Sequence, residues 1–206
     1  MNYDNQPLSA RGTLLLDAAQ HLFFTRGFDE TSLEMIINEV GGSRRSIYNE
    51  FGNKHGLLVA VINRQLIKQT EMLTSINREL SAEAALNDVC FRFAQGMLSK
   101  TLISLFRLVV QQVVKSPEFG EMIFDRGPMK AVLPLAQYLE ELTEQGILKV
   151  VDAHTSAQVL LKMSEGPLYT RSLLLPDTLA TDEEIKKQVA NAVGIFIKAH
   201  TTETTK

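Results

Sequence analysis

Seven residues in one short stretch carry hydrogen-bonding side chains at close spacing. Between Gly41 and Phe51 the chain reads GGSRRSIYNEF. Arg44 and Arg45 each present a planar guanidinium fork, which suits guanine O6/N7 or a phosphate. Asn49 can pair with adenine or sit on the backbone. Ser43, Ser46 and Tyr48 supply hydroxyls that fit phosphate oxygens. On its own such a segment is either a basic surface loop or the turn and reading head of a DNA-binding helix, and its flanks must decide.

The flanks are helical in period. Leu15, Ala18, Ala19, Leu22 and Phe23 recur at i, i+3, i+4, i+7 and i+8, which predicts an amphipathic helix over 9–25 that Gly27 ends. Thr31 followed by Glu34 is a capping-box pattern and opens a short helix with Leu33, Ile36, Ile37 and Val40 on its apolar side. The Gly41–Gly42 pair stops it, and Ser43 is suited to cap a further helix over 44–49. Asn53 can cap the next, a long helix expected from Lys54 to about Glu79. A helix of this length before two short ones joined by a tight glycine turn is a helix-turn-helix arrangement. In it the segment from Ser43 to Tyr48 enters the major groove. Thr31 and Ser32 then lie at one helix start and Lys54 at another, where free N–H groups and the dipole attract phosphate.

Beyond Glu79 the helical period continues. Ser81 opens a helix, TLISLFRLVVQQVV reads as buried on most sides, and Pro117 fits the first turn of a short helix. In the segment 128–145 Pro134 either kinks a helix or marks its true start, and Gly146 ends it. Gly166-Pro167 predicts a bend. Thr181 with Glu184 forms a second capping-box pattern ahead of a stripe of Ile185, Val189, Val193, Phe196 and Ile197. GILKVVD is the one strand candidate, and residues 201–206 read as a polar, frayed tail. The expected class is all-α.

Composition removes several functions. The 206 residues are 45% hydrophobic and carry a net charge of −3. Up to Gly56 there are five basic and seven acidic residues, a net of −2, so DNA binding must rest on where the positive charges sit. The single cysteine, Cys90, excludes an internal disulfide and reads as a small buried apolar residue. His21, His55, His154 and His200 have no metal-ligand spacing, and neither a catalytic constellation nor a cofactor loop is present. No apolar signal segment and no run of eighteen apolar residues occurs, so a cytoplasmic protein with no membrane span is expected.

Residues 15–62 resemble the N-terminal domain of TetR-family transcriptional regulators. The match runs through AA..LF..RGF..TS at 18–32, I..EVGGS at 36–43, IY..F at 47–51 and NK.GLL at 53–58. The later segments FRLVVQQVVKSPEFGEMIFDRGP and LEELTEQGILKVVDAHTSAQVLL are similar, more loosely, to one subgroup of the family.

The resemblance implies a helix-turn-helix DNA-binding domain over 1–55 and a larger helical ligand-binding and dimerisation domain over 56–206. It implies a homodimer, usually a repressor released from a double-stranded DNA operator by a small-molecule effector. By position Thr31, Ser43, Arg44, Arg45, Tyr48, Asn49 and Lys54 fall where members touch DNA. Ile47 and Phe51 fall where the family packs its helices. Three letters depart from the pattern: Ile37 where a small alanine is common, Gly42 where an apolar residue is usual, and Glu50 where histidine is frequent. The last places a negative charge near the expected DNA surface.

Phe93, Met97, Phe106, Val110, Gln111, Phe124, Met163 and Tyr169 are the candidates for an effector cavity between helices, with Met129 a further candidate for core or cavity. The dimer is expected to form from helices over 154–175 and 182–200. The alternative reading is a helical small-molecule-binding or interaction protein whose DNA-binding head is inactive.

Overall fold

Ser9 opens the first helix by accepting the Gly12 N–H on its hydroxyl at 2.9 Å. From there the computed structural model describes residues 8–71, 75–126, 132–175 and 177–201, and these form ten helices and no strand. The helices are α1 (Ala10–Arg26), α2 (Leu33–Val40), α3 (Arg44–Phe51), α4 (Lys54–Glu71) and α5 (Ala82–Met97). They continue with α6 (Lys100–Gln112), α7 (Glu118–Arg126), α8 (Val132–Glu144), α9 (Ala153–Leu174) and α10 (Asp182–His200). The expected 202–206 tail, Met129 and the start of the 128–145 segment fall outside the described residues.

The chain divides into two compact units. One holds the described residues up to Ile67 together with Ser104–Ile123. In it α1 packs on α2 and α3. Leu15, Ala19, Phe23, Ile36, Ile47, Phe51, Leu57, Leu58, Val61 and Ile62 are almost wholly buried. Each large side chain among them contributes roughly 1.5–3 kcal/mol by leaving water. Gly27 ends α1 at φ 88°, with its N–H on the Phe23 carbonyl at 3.1 Å.

The second unit holds residues 68–103 and the described residues from Phe124 onward. Here α9 packs on α5, α8 and α10, and α10 packs on α5. Leu86, Cys90, Phe93, Met97, Leu139, Leu160, Val189, Val193 and Phe196 form its core. Burial pushes the Cys90 thiol up to about 12, so it stays a protonated packing residue. The bend in α9 falls at Gly166, whose φ of 50° and ψ of −146° break the helix. Pro167 has no N–H to give back to the Met163 carbonyl. Gln188 of α10 donates there instead, at 2.7 Å.

Three local expectations are corrected. The Thr31–Glu34 box does not form, because the helix starts one residue later: Ser32 is the cap and accepts the Met35 N–H at 3.2 Å. The fourth helix is described from Lys54 to Glu71, and residues 75–81 are non-helical, so it does not reach the expected Glu79. There the Asn77 side chain accepts the Glu79 N–H at 2.9 Å, a local bond that competes with the helix. GILKVVD pairs with no strand among the described residues; the Lys149 N–H goes to the carbonyl of His200 at 2.7 Å. Other local signals hold. Asn53 accepts the Gly56 N–H at 2.8 Å, and the Thr181/Glu184 box forms in both directions.

Candidate nucleic-acid interface

α3 is anchored on one side and open on the other. Ile47 and Phe51, four residues apart, are buried at 0% and 1% exposure. Arg44, Arg45, Tyr48 and Asn49 are exposed on the remaining surface, Tyr48 by 52%. Eight residues would not hold a helix alone, so the two buried anchors fix both its existence and its orientation.

The start of α3 is chemically unspent. Ser43 occupies the cap position, yet its hydroxyl accepts no backbone N–H and lies 3.5 Å from the Ser46 hydroxyl. The Ser46 N–H turns back to the Ser43 carbonyl at 3.0 Å, while the N–H groups of Arg44 and Arg45 have no side-chain cap, with the positive end of the helix dipole behind them. Such a terminus accepts an anion directly. Gly41 and Gly42, at φ 70° and 112°, make the turn that aims it.

The two arginines differ. Arg44 pairs with Glu34 of α2, with both side chains well exposed. Such a surface pair is worth about 0–1 kcal/mol and can be exchanged for a phosphate. Arg45 is exposed and has no ion pair or hydrogen bond among the described residues.

Three other expected residues take distinct positions. Ser32 is exposed at the start of α2 but spends its oxygen on Met35. Thr31, expected beside phosphate, is buried at 1% exposure and donates its hydroxyl to the Gly27 carbonyl at 2.8 Å. Its place one residue before the cap turns it inwards. Lys54 lies with Nζ 4.4 Å above the Phe28 ring and 3.4 Å from the Asp29 carbonyl. Partial burial lowers its pKa, against the pull of the Asp29 carboxylate.

Glu50 does not face outwards as a free charge. Its carboxylate accepts the Ser9 hydroxyl and lies against Gly12, at the first turn of α1. A side chain at Gly12 would occupy the carboxylate's place. A negative charge at a helix start is favoured by the dipole. The departure at Glu50 is thus a latch between α3 and α1.

Two features of this unit escape the sequence reading. Arg11, on α1, lies across the glycine turn, with its guanidinium against Gly42. Behind the interface, His55 is gripped by residues near the start of α7. Its Nε2 is 2.9 Å from the Ser116 hydroxyl and 3.7 Å from a Glu118 oxygen. Its ring stacks on Phe119 at 5.0 Å, and Phe28 meets it edge-on at 5.4 Å. Lys115 pairs with Asp29 at 2.7 Å, and this bond holds the Asp29 carboxyl below its ordinary pKa. Each of these contacts joins residues 26 or more positions apart, so no local pattern announces them.

The expected cavity residues are dispersed. Phe93 and Met97 are buried on α5, while Met163 and Tyr169 are half-buried on α9. Phe106 is half-buried on α6. Val110, Gln111 and Phe124 are exposed, with Val110 at 60% and Phe124 at 72%. They fall off the stripes by which α6 and α7 bury Leu105, Leu108, Val109, Phe119 and Ile123, so they do not line an interior.

Known proteins share this arrangement. Residues 15–61 match the family model for bacterial regulatory proteins of the tetR family. Residues 84–202 match the model for the C-terminal domain of AefR-like transcriptional repressors. The HTH-type transcriptional repressor ComR of Escherichia coli is 31% identical over 111 residues, which is 52% of this chain and 52% of ComR. The match thus spans about half the length of that relative. A crystal structure assigned to the TetR family, from Mesorhizobium loti, superposes with a TM-score of 0.84 at 20% identity, covering 96% of this chain and 100% of that one. The flavonoid-responsive regulator FrrA superposes with a TM-score of 0.77 at 22% identity, covering 93% and 97%.

Proposed function

Because the chain belongs to the TetR family of transcriptional regulators, we propose that it represses by binding a palindromic DNA operator as a homodimer and leaves it when a small molecule binds. The observation that carries this reading is the open face of α3. Arg44, Arg45 and Asn49 read the major groove, while Ser32, Ser43, Ser46, Tyr48 and Lys54 hold phosphates beside it. Residues 1–55 act as the DNA-binding domain and 56–206 as the ligand-binding and dimerisation domain.

The exposed sides of α9 and α10 support the dimer. Val159 is 48% exposed and Ile195 is 59% exposed, and the space over Gly194 is open. Two copies of this pair form a four-helix bundle across a two-fold axis, burying those residues. The effector binds inside the second unit against Phe93, Met97, Met163 and Tyr169. Glu165 is buried on α9 with Oε2 on Lys162 at 2.9 Å, and its Oε1 has no hydrogen-bond partner among the described residues, so it is a polar group available to orient a ligand. The ligand acts through its different affinity for the DNA-competent and DNA-incompetent states. FrrA, by its name, responds to flavonoids, and an aromatic effector suits the same kind of apolar interior. The protein works where its DNA lies, in the cytoplasm; among the described residues no single helix is long and apolar enough to cross a membrane.

A gel shift with genomic fragments, beginning with the DNA upstream of the protein's own gene, tests the reading. Specific binding that falls steeply with salt is expected. Failure to bind any fragment specifically at low salt would overturn it and favour a carrier with an inactive head.

A further inference from the structure

We propose that Arg11 is a phosphate-backbone contact of the head, and that Gly42 is glycine in order to seat it. The inference rests on the DNA-binding reading above and adds a contact from a different helix.

Arg11 is the second residue of α1 and is half-buried. Its guanidinium lies against the backbone of the turn between α2 and α3. A Cβ on Gly42 would stand 3.0 Å from Arg11 Nε and 3.1 Å from its Cζ, and one on Gly41 would stand 3.4 Å from Nη2. Gly42 also has a φ of 112°, which side-chain-bearing residues rarely adopt. The backbone angle calls for glycine, and the absence of a side chain leaves the space in which the Arg11 guanidinium lies. The turn letter that departs from the usual apolar residue makes room for the arginine.

Among the described residues the guanidinium has donors to spend and nothing to spend them on. No hydrogen bond or ion pair to Arg11 is found among the described residues. Glu50 of α3, whose carboxylate lies against Gly12 at the first turn of α1, is engaged by Ser9. Such a half-buried cation gains from an anion arriving from outside. The residue after Gly42 is Ser43, at the uncapped start of α3. An oxyanion drawn to the α3 N–H groups meets Arg11 at the same edge.

Charge placement leads to the same residue. The chain up to Gly56 has five basic side chains and a net charge of −2. Arg44 is paired with Glu34, Lys54 is held at Phe28 and Asp29, and Arg26 is at the far end of α1. Arg45 and Arg11 remain uncommitted beside the start of α3. Arg45 is on the reading helix and can reach bases. Arg11 is braced on the turn and reaches the sugar-phosphate chain, which carries no sequence information.

The test compares wild type, Arg11→Ala, Arg11→Lys and Arg45→Ala by fluorescence anisotropy, on the operator and on unrelated duplex, over a salt series. Circular dichroism melts check that each variant is folded. Losing one phosphate contact per protomer makes the log K against log salt slope of the dimer shallower by about 2. Binding falls roughly tenfold per contact near 0.1 M salt, on operator and unrelated DNA alike. Arg11→Lys recovers much of the slope, whereas Arg45→Ala changes the preference between the two duplexes. Arg11→Ala with wild-type affinity and slope would overturn the proposal and leave the regulator reading intact. A loss confined to the operator would also overturn it, because it would mark Arg11 as a base reader. If wild type binds no DNA specifically, the parent reading fails and this one fails with it.

Discussion

Arg44 and Arg45 are neighbours in the chain but not in situation. Arg44 must give up Glu34 before it serves DNA, whereas Arg45 has no partner among the described residues to give up. Arg45→Ala is therefore expected to weaken operator binding by about 1–3 kcal/mol with the fold intact. Arg44→Ala costs less, since part of what it gains from DNA repays the lost pair. Anisotropy titration of both variants checks the order, and an Arg45→Ala protein that binds as tightly as wild type would mean the reading surface lies elsewhere. Glu50 and Gly42 looked in the sequence like obstacles to docking. In the structure each complements the start of α1: Glu50 holds its cap, Ser9, and Gly42 makes room for Arg11.

At the scale of elements, α9 and α10 are joined by side chains that replace what the backbone lacks. Arg171 donates to both oxygens of Glu184 at 2.7 and 2.8 Å, and Glu184 also accepts the Thr181 N–H at 2.9 Å. The Arg171 bond, then that from Thr181, draws the Glu184 carboxyl from 4.5 down to about 2. A folded-state pKa below the unfolded one gives stability that is present above pH 4.5 and is lost as pH falls towards 2. Thermal melts across that window should fall more steeply for wild type than for Glu184→Gln, and parallel curves would reject the linkage. At the α9 bend, Gln188→Leu leaves the Met163 carbonyl without its donor. It is expected to cost about 1 kcal/mol, seen as a lower urea midpoint at unchanged slope. A midpoint equal to wild type would show that the bend does not need that bond.

For the whole molecule, the proposed palindromic operator requires two heads. A single head covers only a half-site, and two heads one helical turn apart, about 34 Å, read a palindrome. Ile195→Asp puts a charge on the exposed apolar side of α10 and is expected to yield a monomer by light scattering. That monomer should lose operator affinity even though its reading helix is unchanged. A dimer that persists would place the interface on other helices.

Much of this protein was written in local signals. Apolar spacing announced the helices, and Gly27, Asn53, Ser81, Gly146 and the Thr181/Glu184 box marked their ends, because a cap needs only residues within one turn of each other. The reading helix was legible for the same reason, from GGS through Phe51. Where a local pattern competed with an equally local alternative, as at Thr31 against Ser32 or at Asn77 within the expected long helix, the sequence reading misplaced the boundary. What only the tertiary structure decided are the meetings of distant residues: Ser9 with Glu50, Arg11 with Gly42, His55 with Phe119, Gln188 with Met163. These depend on the register and crossing of packed helices, set by the whole core at once, so no short stretch of sequence encodes them.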